Sequence, residues 1–184
     1  MCRSRVRPAN FTHECFLKRV LQFQVAFIVR AEDSRLDAEM SALRTLLVDD
    51  HVDLRKRLRS MLEEKTECVV IGEASDGLHA IEQAKELQPD LILLDLSLPK
   101  LNGMEAGRRI RKLCPHSKII FLSQDPSPEI VQGALRLGAV GYLLKSDANE
   151  LSFAVGAILQ GKVFVSRRVK DSHLFPAYLR AIVA

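Results

Sequence analysis

Five short apolar runs constrain this chain more than any other feature. They are TLLVDD (45–50), CVVIGE (68–73), LILLDLS (91–97), KIIFLSQ (118–124) and GYLLKS (141–146). Strands buried on both faces read as near-continuous apolar runs, and such strands belong to a parallel sheet covered by helices. Between the runs lie segments of helical period. His51–Lys65 places Leu54, Leu58, Met61 and Leu62 on one face. Asp76-Gly77 opens a second helix, with Leu78, Ile81, Ala84 and Leu87 on one face, and Pro89 stops it. Gly103–Leu113, Pro128–Leu137 and Ala148–Gln160 complete the set, the last closed by Gly161. The expected fold class is therefore α/β, a doubly wound five-stranded parallel sheet with five flanking helices joined by right-handed crossovers.

Four of the runs end in a polar residue. Asp49-Asp50, Asp95, Ser123 and Lys145 each stand where a strand gives way to a loop. Strand C-termini of a parallel sheet converge on one edge, the edge where open α/β folds bind ligands. Three carboxylates, a hydroxyl and an ammonium are thus expected in one pocket. Adjacent carboxylates repel, and a cation between Asp49 and Asp50 relieves that repulsion. Mg²⁺ suits such a pair, because it takes one or two carboxylates and keeps waters or phosphate as its other ligands. A carboxylate can also act as a nucleophile towards phosphorus. The transferring group then needs its oxygens neutralised, which a metal, the Lys145 ammonium and the Ser123 hydroxyl would do. Taken singly, an Asp after a strand is a turn former or helix cap, and Lys145 a surface lysine. Their joint placement on four runs favours the site.

The net charge of +4 belongs to the ends. Residues 1–39 carry 7 basic and 5 acidic side chains, residues 40–165 carry 16 and 17, and residues 166–184 carry 4 and 1. Basic ends of this kind read as solvated tails rather than nucleic-acid surfaces. Cys2, Cys15, Cys68 and Cys114 show neither close pairing nor metal-ligand spacing. Cys68 and Cys114 lie in or beside apolar stretches and read as reduced thiols of a reducing cytosol. The apolar stretch Val20–Val29 contains Gln22 and Gln24 and falls short of the ~20 residues a membrane helix needs. The expected location is cytoplasmic, with no membrane partner.

VDDH, LLDLSLPKLNGMEA, FLSQ and GYLLKSD follow one another in order between about Leu43 and Val165. In this the chain resembles the CheY-like receiver domains of two-component response regulators, and within them the NarL/FixJ branch. The resemblance implies that Asp95 accepts a phosphoryl group from a sensor histidine kinase. It implies Mg²⁺ held directly by Asp50, through water by Asp49, and by Asp95 and the Ser97 backbone carbonyl. Ser123 and Tyr142 would form a switch pair, Lys145 would contact the phosphoryl group, and Pro99 and Gly103 would shape the loop after the acceptor. Such a domain is not an enzyme in the metabolic sense and would lose its phosphate slowly; a homodimer on phosphorylation is one partner arrangement that the sequence leaves open. A new dianion at Asp95 would draw the Ser123 hydroxyl inward and vacate space for the Tyr142 ring. On its residues alone, Tyr142 reads equally well as an aromatic at a strand rim.

Two departures stand out. Ser146 follows Lys145 where many receivers have a cis proline, so a trans bond is expected, with Asp147 available to cap the last helix. The chain also shows no helix-turn-helix output after residue 165. Arg167, Arg168 and Lys170 fall in a linker-like tail, and no sequence-specific DNA binding is expected from them. The expected organisation is an N-terminal extension over 1–42, a receiver over 43–165 and a tail over 166–184. Residues 1–39 fit either an upstream extension from a misassigned start, with Met40 as the natural beginning, or a genuine disordered tail. Phe23, Val25, Phe27 and Val29 alternate as a strand might, without a partner. His51 reads as a loop or helix-start residue rather than a ligand. His79, His116 and His173 carry no signal.

Rival readings remain at this point. A haloacid-dehalogenase-type phosphatase also uses Asp, Mg²⁺, Ser/Thr and Lys, but places a DxD motif on its first strand where this chain has Asp-Asp. A receiver-shaped interaction module that is never phosphorylated, or a fragment of a DNA-binding transcriptional regulator, are the others.

Overall fold

The computed structural model describes residues 42–172 and Phe175. Most of the N-terminal extension, with the alternation at 23–29, Cys2, Cys15 and Met40, lies outside the described residues, as does His173.

From Leu43 the chain alternates strand and helix: β1 Leu43–Val48, α1 Val52–Lys65, β2 Cys68–Ala74, α2 Gly77–Leu87, β3 Leu91–Asp95, α3 Gly103–Leu113, β4 Lys118–Ser123, α4 Pro128–Arg136 and β5 Gly141–Leu144. A 3₁₀ segment, Lys145–Glu150, then leads into α5 Leu151–Leu159, β6 Phe164–Val165 and the four-residue α6 Arg167–Lys170. The sheet is six-stranded in the order β2-β1-β3-β4-β5-β6, and every pairing is parallel. The α/β doubly wound class holds. The sixth strand is the difference from the five expected. Phe164 and Val165 pair with Gly141 and Tyr142, a run too short to register as a strand by pattern.

Burial explains why the central runs lack polar alternation. Leu46, Val48, Ile92, Leu94 and Phe121 pack on one face against Ala80 and Ala84 of α2, Ala106 and Ile110 of α3, and Val131 and Ala134 of α4. Leu47, Leu91, Leu93, Ile120, Leu122 and Leu143 pack on the other against α1 and α5. Edge strand β2 is covered less fully, with Val69 47% exposed.

Two helix assignments need correction. The inward face of α2 is Ala80 and Ala84, with Ile81 and Leu87 partly buried, while Leu78 is 45% exposed. The helix begins at Gly77, so Leu78 falls in its first turn beyond the sheet, and small alanines admit the close approach. The last helix begins at Leu151 rather than Ala148, and its N-cap is Glu150 without a side-chain bond. Asp147 does not cap it. Its Oδ1 accepts from the Ser146 hydroxyl at 3.1 Å and faces Arg168 at 3.5 Å. No peptide bond is cis among the described residues, so Ser146 follows Lys145 in trans.

The packed core continues beyond Val165. Ser166, Val169 and Phe175 are buried. The Ser166 hydroxyl oxygen accepts the Leu144 N–H at 2.9 Å, and the Ser166 N–H donates to the Tyr142 carbonyl at 2.9 Å.

Candidate functional site

The register of the central strands sets the site. Val48 of β1 pairs with Leu94 of β3, so Asp49 and Asp95 emerge side by side at the C-terminal edge. Asp95 pairs with Leu122 and Ser123 with Leu144, which brings Ser123 and Lys145 to the same edge. The site therefore opens where the strand order reverses between β1 and β3, the general place for ligands in such sheets. β5 lies two strands from β3, roughly 10 Å away, and a lysine stem is long enough to cross that gap.

Lys145 makes the crossing. Its Nζ lies 2.8 Å from Asp49 Oδ2 and 2.8 Å from Asp95 Oδ2. The side chain is 9% exposed, Asp49 is fully buried and Asp95 nearly so. One ammonium therefore serves two buried carboxylates. The ion contact aside, neither Oδ2 has an aligned hydrogen bond, so both retain lone pairs for a further cation. Burial pushes the Asp95 carboxyl above the ordinary carboxylate range, although Lys145 and the Ser97 N–H oppose the shift. Burial also works against the Lys145 charge, but the two carboxylates hold its pKa above the usual lysine value.

Around this centre the remaining oxygens are anchored. Asp49 Oδ1 accepts the His51 N–H at 2.8 Å, and the Asp49 carbonyl accepts from Arg55 Nη1 at 2.6 Å. Arg55 is in turn held by Glu73 of β2 through Nε at 3.1 Å. Asp95 Oδ1 accepts the Ser97 N–H at 3.2 Å. Asp50 stands at the rim, partly exposed, with its Oδ1 2.6 Å from His51 Nδ1. His51 is the N-cap residue of α1, a helix-start residue that also covers one oxygen of Asp50.

Asp49, Asp50 and His51 offer ligand atoms within 4.8 Å of one another. This acidic set, with the open oxygens of Asp49 and Asp95 beside it, suits a hard divalent cation. The loop beyond β3 is tightly folded against it. Gly103, the first residue of α3, donates its N–H to the Leu96 carbonyl at 2.9 Å, and a Cβ there would strike the Asp95 carbonyl.

Ser123 and Tyr142 form a second group. The Ser123 hydroxyl oxygen accepts the Asp125 N–H at 3.0 Å, and the fully buried Tyr142 donates its hydroxyl to the Asp125 carbonyl at 2.5 Å. The ring is thus already inside the fold, and β6 lies against its backbone. Burial pushes the Tyr142 phenol up to about 12, only partly offset by contact with the Ser123 hydroxyl. The folded protein holds this proton more tightly than the unfolded chain. The stability so gained is complete below the ordinary phenol value of ~10 and lost as pH rises through about 12. In a Tyr178→Phe variant, which leaves Tyr142 as the chain's single phenol, the absorbance near 295 nm should rise only above about pH 11, together with unfolding. A midpoint near 10 in folded protein would contradict the buried ring.

The family is decided by the match of the response regulator receiver domain to residues 45–155. The chain belongs to that family. It is the receiver domain of a two-component response regulator. This receiver is 37% identical over 137 residues to the nitrate/nitrite response regulator protein NarL of Escherichia coli strain K12, covering 74% of the chain and 62% of NarL. It is 33% identical over 141 residues to the transcriptional regulatory protein DegU of Brevibacillus brevis, covering 76% and 59%. The matched stretch thus spans about six-tenths of the length of these curated relatives. Among solved structures, it resembles a LuxR-family two-component response regulator from Aurantimonas sp. SI85-9A1 with a TM-score of 0.68 at 33% identity, covering 77% of this chain and 99% of that one. The signal receiver domain of the response regulator NarL from Mycobacterium tuberculosis gives 0.62 at 32%, covering 66% and 99%. Receiver domains are not a catalytic family in themselves, and they generally bind Mg²⁺ at an acidic pocket. No helix among the described residues is long and apolar enough to cross a membrane.

Of the residues singled out by sequence, Asp49 and Asp95 both contact Lys145, Ser97 bonds Asp95, and Ser123 and Tyr142 share Asp125. Sequence reasoning missed Arg55, Ser166 and the contact between Asp76 and Lys100. Only Asp76 left any trace, as part of the Asp76-Gly77 pair that opens the second helix.

Proposed function

We propose that Asp95 is the phosphoacceptor of this receiver and that a sensor histidine kinase supplies the phosphoryl group. The observation that supports this most directly is the buried Lys145 ammonium lying 2.8 Å from both Asp49 and Asp95. A carboxylate oxygen of Asp95 attacks phosphorus, the new O–P bond forms, and the bond from phosphorus to the donor's histidine nitrogen breaks. Lys145 stays beside Asp95 and balances the added charge. The Ser97 N–H fixes Oδ1, which orients the carboxylate. Asp49, Asp50, Asp95 and the Ser97 carbonyl would hold Mg²⁺, which neutralises charge on the transferring group. Ser123 lies one strand away at the same sheet edge, where its hydroxyl can turn from Tyr142 to a phosphoryl oxygen. A shift of Ser123 moves the Asp125 loop, to which the Tyr142 hydroxyl is tied, so Tyr142 carries the change towards β6.

The receiver proper occupies 43–165, with Ser166, Val169 and Phe175 packed onto it and 1–42 as an extension. Pairing of two copies is the proposed consequence of phosphorylation, in a cytoplasmic setting. Sequence-specific DNA recognition is not assigned to the described residues, since Arg167, Arg168 and Lys170 sit on a single four-residue turn.

Intact mass after incubation with Mg²⁺ and acetyl phosphate tests the reading. One phosphoryl adduct is expected, absent from an Asp95→Ala variant and from protein treated with EDTA. An unlabelled wild-type protein with its fold intact would instead indicate an interaction module that works without phosphate.

A further inference from the structure

The loop that joins β3 to α3 carries Ser97, whose N–H orients Asp95. It also contains a residue that the backbone should resist. Lys100 adopts φ 61°, a left-handed conformation that favours glycine. Its side chain is 63% exposed, yet it has a fixed partner. Nζ reaches Asp76 Oδ2 at 2.7 Å, 24 residues earlier in the chain.

Asp76 is built to receive it. The residue is 6% exposed, and its Oδ1 accepts the N–H groups of Leu78 at 3.0 Å and His79 at 2.9 Å, capping α2. The cap and the lysine together hold its carboxyl below the usual range. The next residue presses on the same loop. The Gly77 N–H points at the Pro99 carbonyl at 3.4 Å, and a Cβ at Gly77 would collide with the Leu101 carbonyl. The N-terminus of α2 therefore clamps residues 99–101 through one ion pair and one backbone contact.

We propose that Asp76 and Lys100 are positioning residues that set the geometry of the phosphoacceptor loop. They act through Ser97, on the Mg²⁺ affinity of the site and hence on the rate at which Asp95 is phosphorylated. This rests on the reading of Asp95 as phosphoacceptor. The pair touches neither Asp95 nor the acidic cluster. It fixes the far end of a loop whose near end supplies the Ser97 N–H and carbonyl.

The test uses the full chain and four forms: wild type, Lys100→Met, Lys100→Arg and Lys100→Gly. Calorimetric titration with Mg²⁺ alone reads the dissociation constant without phosphorylation. Labelling rates with acetyl phosphate are then measured across Mg²⁺ concentrations. Lys100→Met should weaken Mg²⁺ binding by up to about fivefold, the reach of an exposed ion pair, and slow labelling at low Mg²⁺, with the rate restored at saturating Mg²⁺. Lys100→Arg keeps the ion pair and should return towards wild type. Lys100→Gly relieves the backbone but breaks the pair, and should behave like the methionine variant. Thermal melting accompanies each form, so that a mere loss of fold is recognised. Wild-type Mg²⁺ dependence in folded Lys100→Met protein overturns the latch. A wild-type protein that binds Mg²⁺ but takes no phosphoryl group overturns the Asp95 reading, while the dissociation constants still decide the latch.

Discussion

Lys145→Met should lower the stability of the receiver by about 3–5 kcal/mol at neutral pH without divalent cations. Methionine keeps the length and apolar stem of lysine but removes the charge. Asp49 and Asp95 are then left buried, facing each other without the one fixed cation, among the described residues, within ion-pair distance of both. Removing one partner of a buried pair costs more than the pair contributes, because the charge left behind stays desolvated. The same argument predicts a rescue. Adding Asp95→Asn removes one of the stranded carboxylates and should recover much of the loss. Millimolar Mg²⁺ should stabilise Lys145→Met more than wild type, by binding the folded form alone. Urea midpoints for the three proteins, with and without Mg²⁺, give the answer. A cost below ~1 kcal/mol in the single variant would mean that these carboxylates are not the isolated pair described above.

Gly103→Ala should be nearly as damaging, at about 3 kcal/mol, the upper end for overpacking a well-packed site. The new Cβ would meet the Asp95 carbonyl oxygen and carbon and the Leu96 Cα. All three are backbone atoms, so no rotamer change relieves the clash. Either α3 moves away or β3 ends differently, and both displace the Asp95 side chain. Gly156→Ala in α5 is the opposite case. A Cβ at Gly156 would meet nothing within 4 Å, and alanine there should stabilise by roughly 0.5–1 kcal/mol through helix propensity. Paired denaturation curves should therefore move in opposite directions. Equal shifts would show that neither neighbourhood was read correctly.

The strands and the acidic edge were legible because one physical cause writes both. A strand buried on two faces must be apolar throughout, so the first polar residue marks where it leaves the core. Asp49, Asp95, Ser123 and Lys145 stand out for that reason. The sixth strand was not legible, since two residues, Phe164 and Val165, make no period. Leu78 misled because it fits the helical spacing of Ile81 and Leu87, and only the packing of α2 shows that it points away. The tie between Lys100 and Asp76 depends on two loops meeting in space, and no local rule announces a lysine in a left-handed turn. Tyr142 could be placed on β5, but whether its ring is buried or lies at the rim could not be read. Its burial follows from Asp125 and from β6, both distant in sequence or too short to notice.

Strand β6 has a consequence for the protein's solution behaviour. A sheet edge is a row of unpaired amides and carbonyls that recruits any extended chain it meets. Here the Phe164 and Ser166 amides are spent on the Val140 and Tyr142 carbonyls, and the strand that takes the outside place is two residues long. The apolar run Gly141–Leu144 is thereby kept off the periphery, and the edge on that side of the sheet is too brief to template another molecule. A protein cut at Gly161 would turn one of its stickiest segments outwards and invite strand-to-strand assembly. Strand β6 is, in this sense, a guard on that side of the sheet against polymerising.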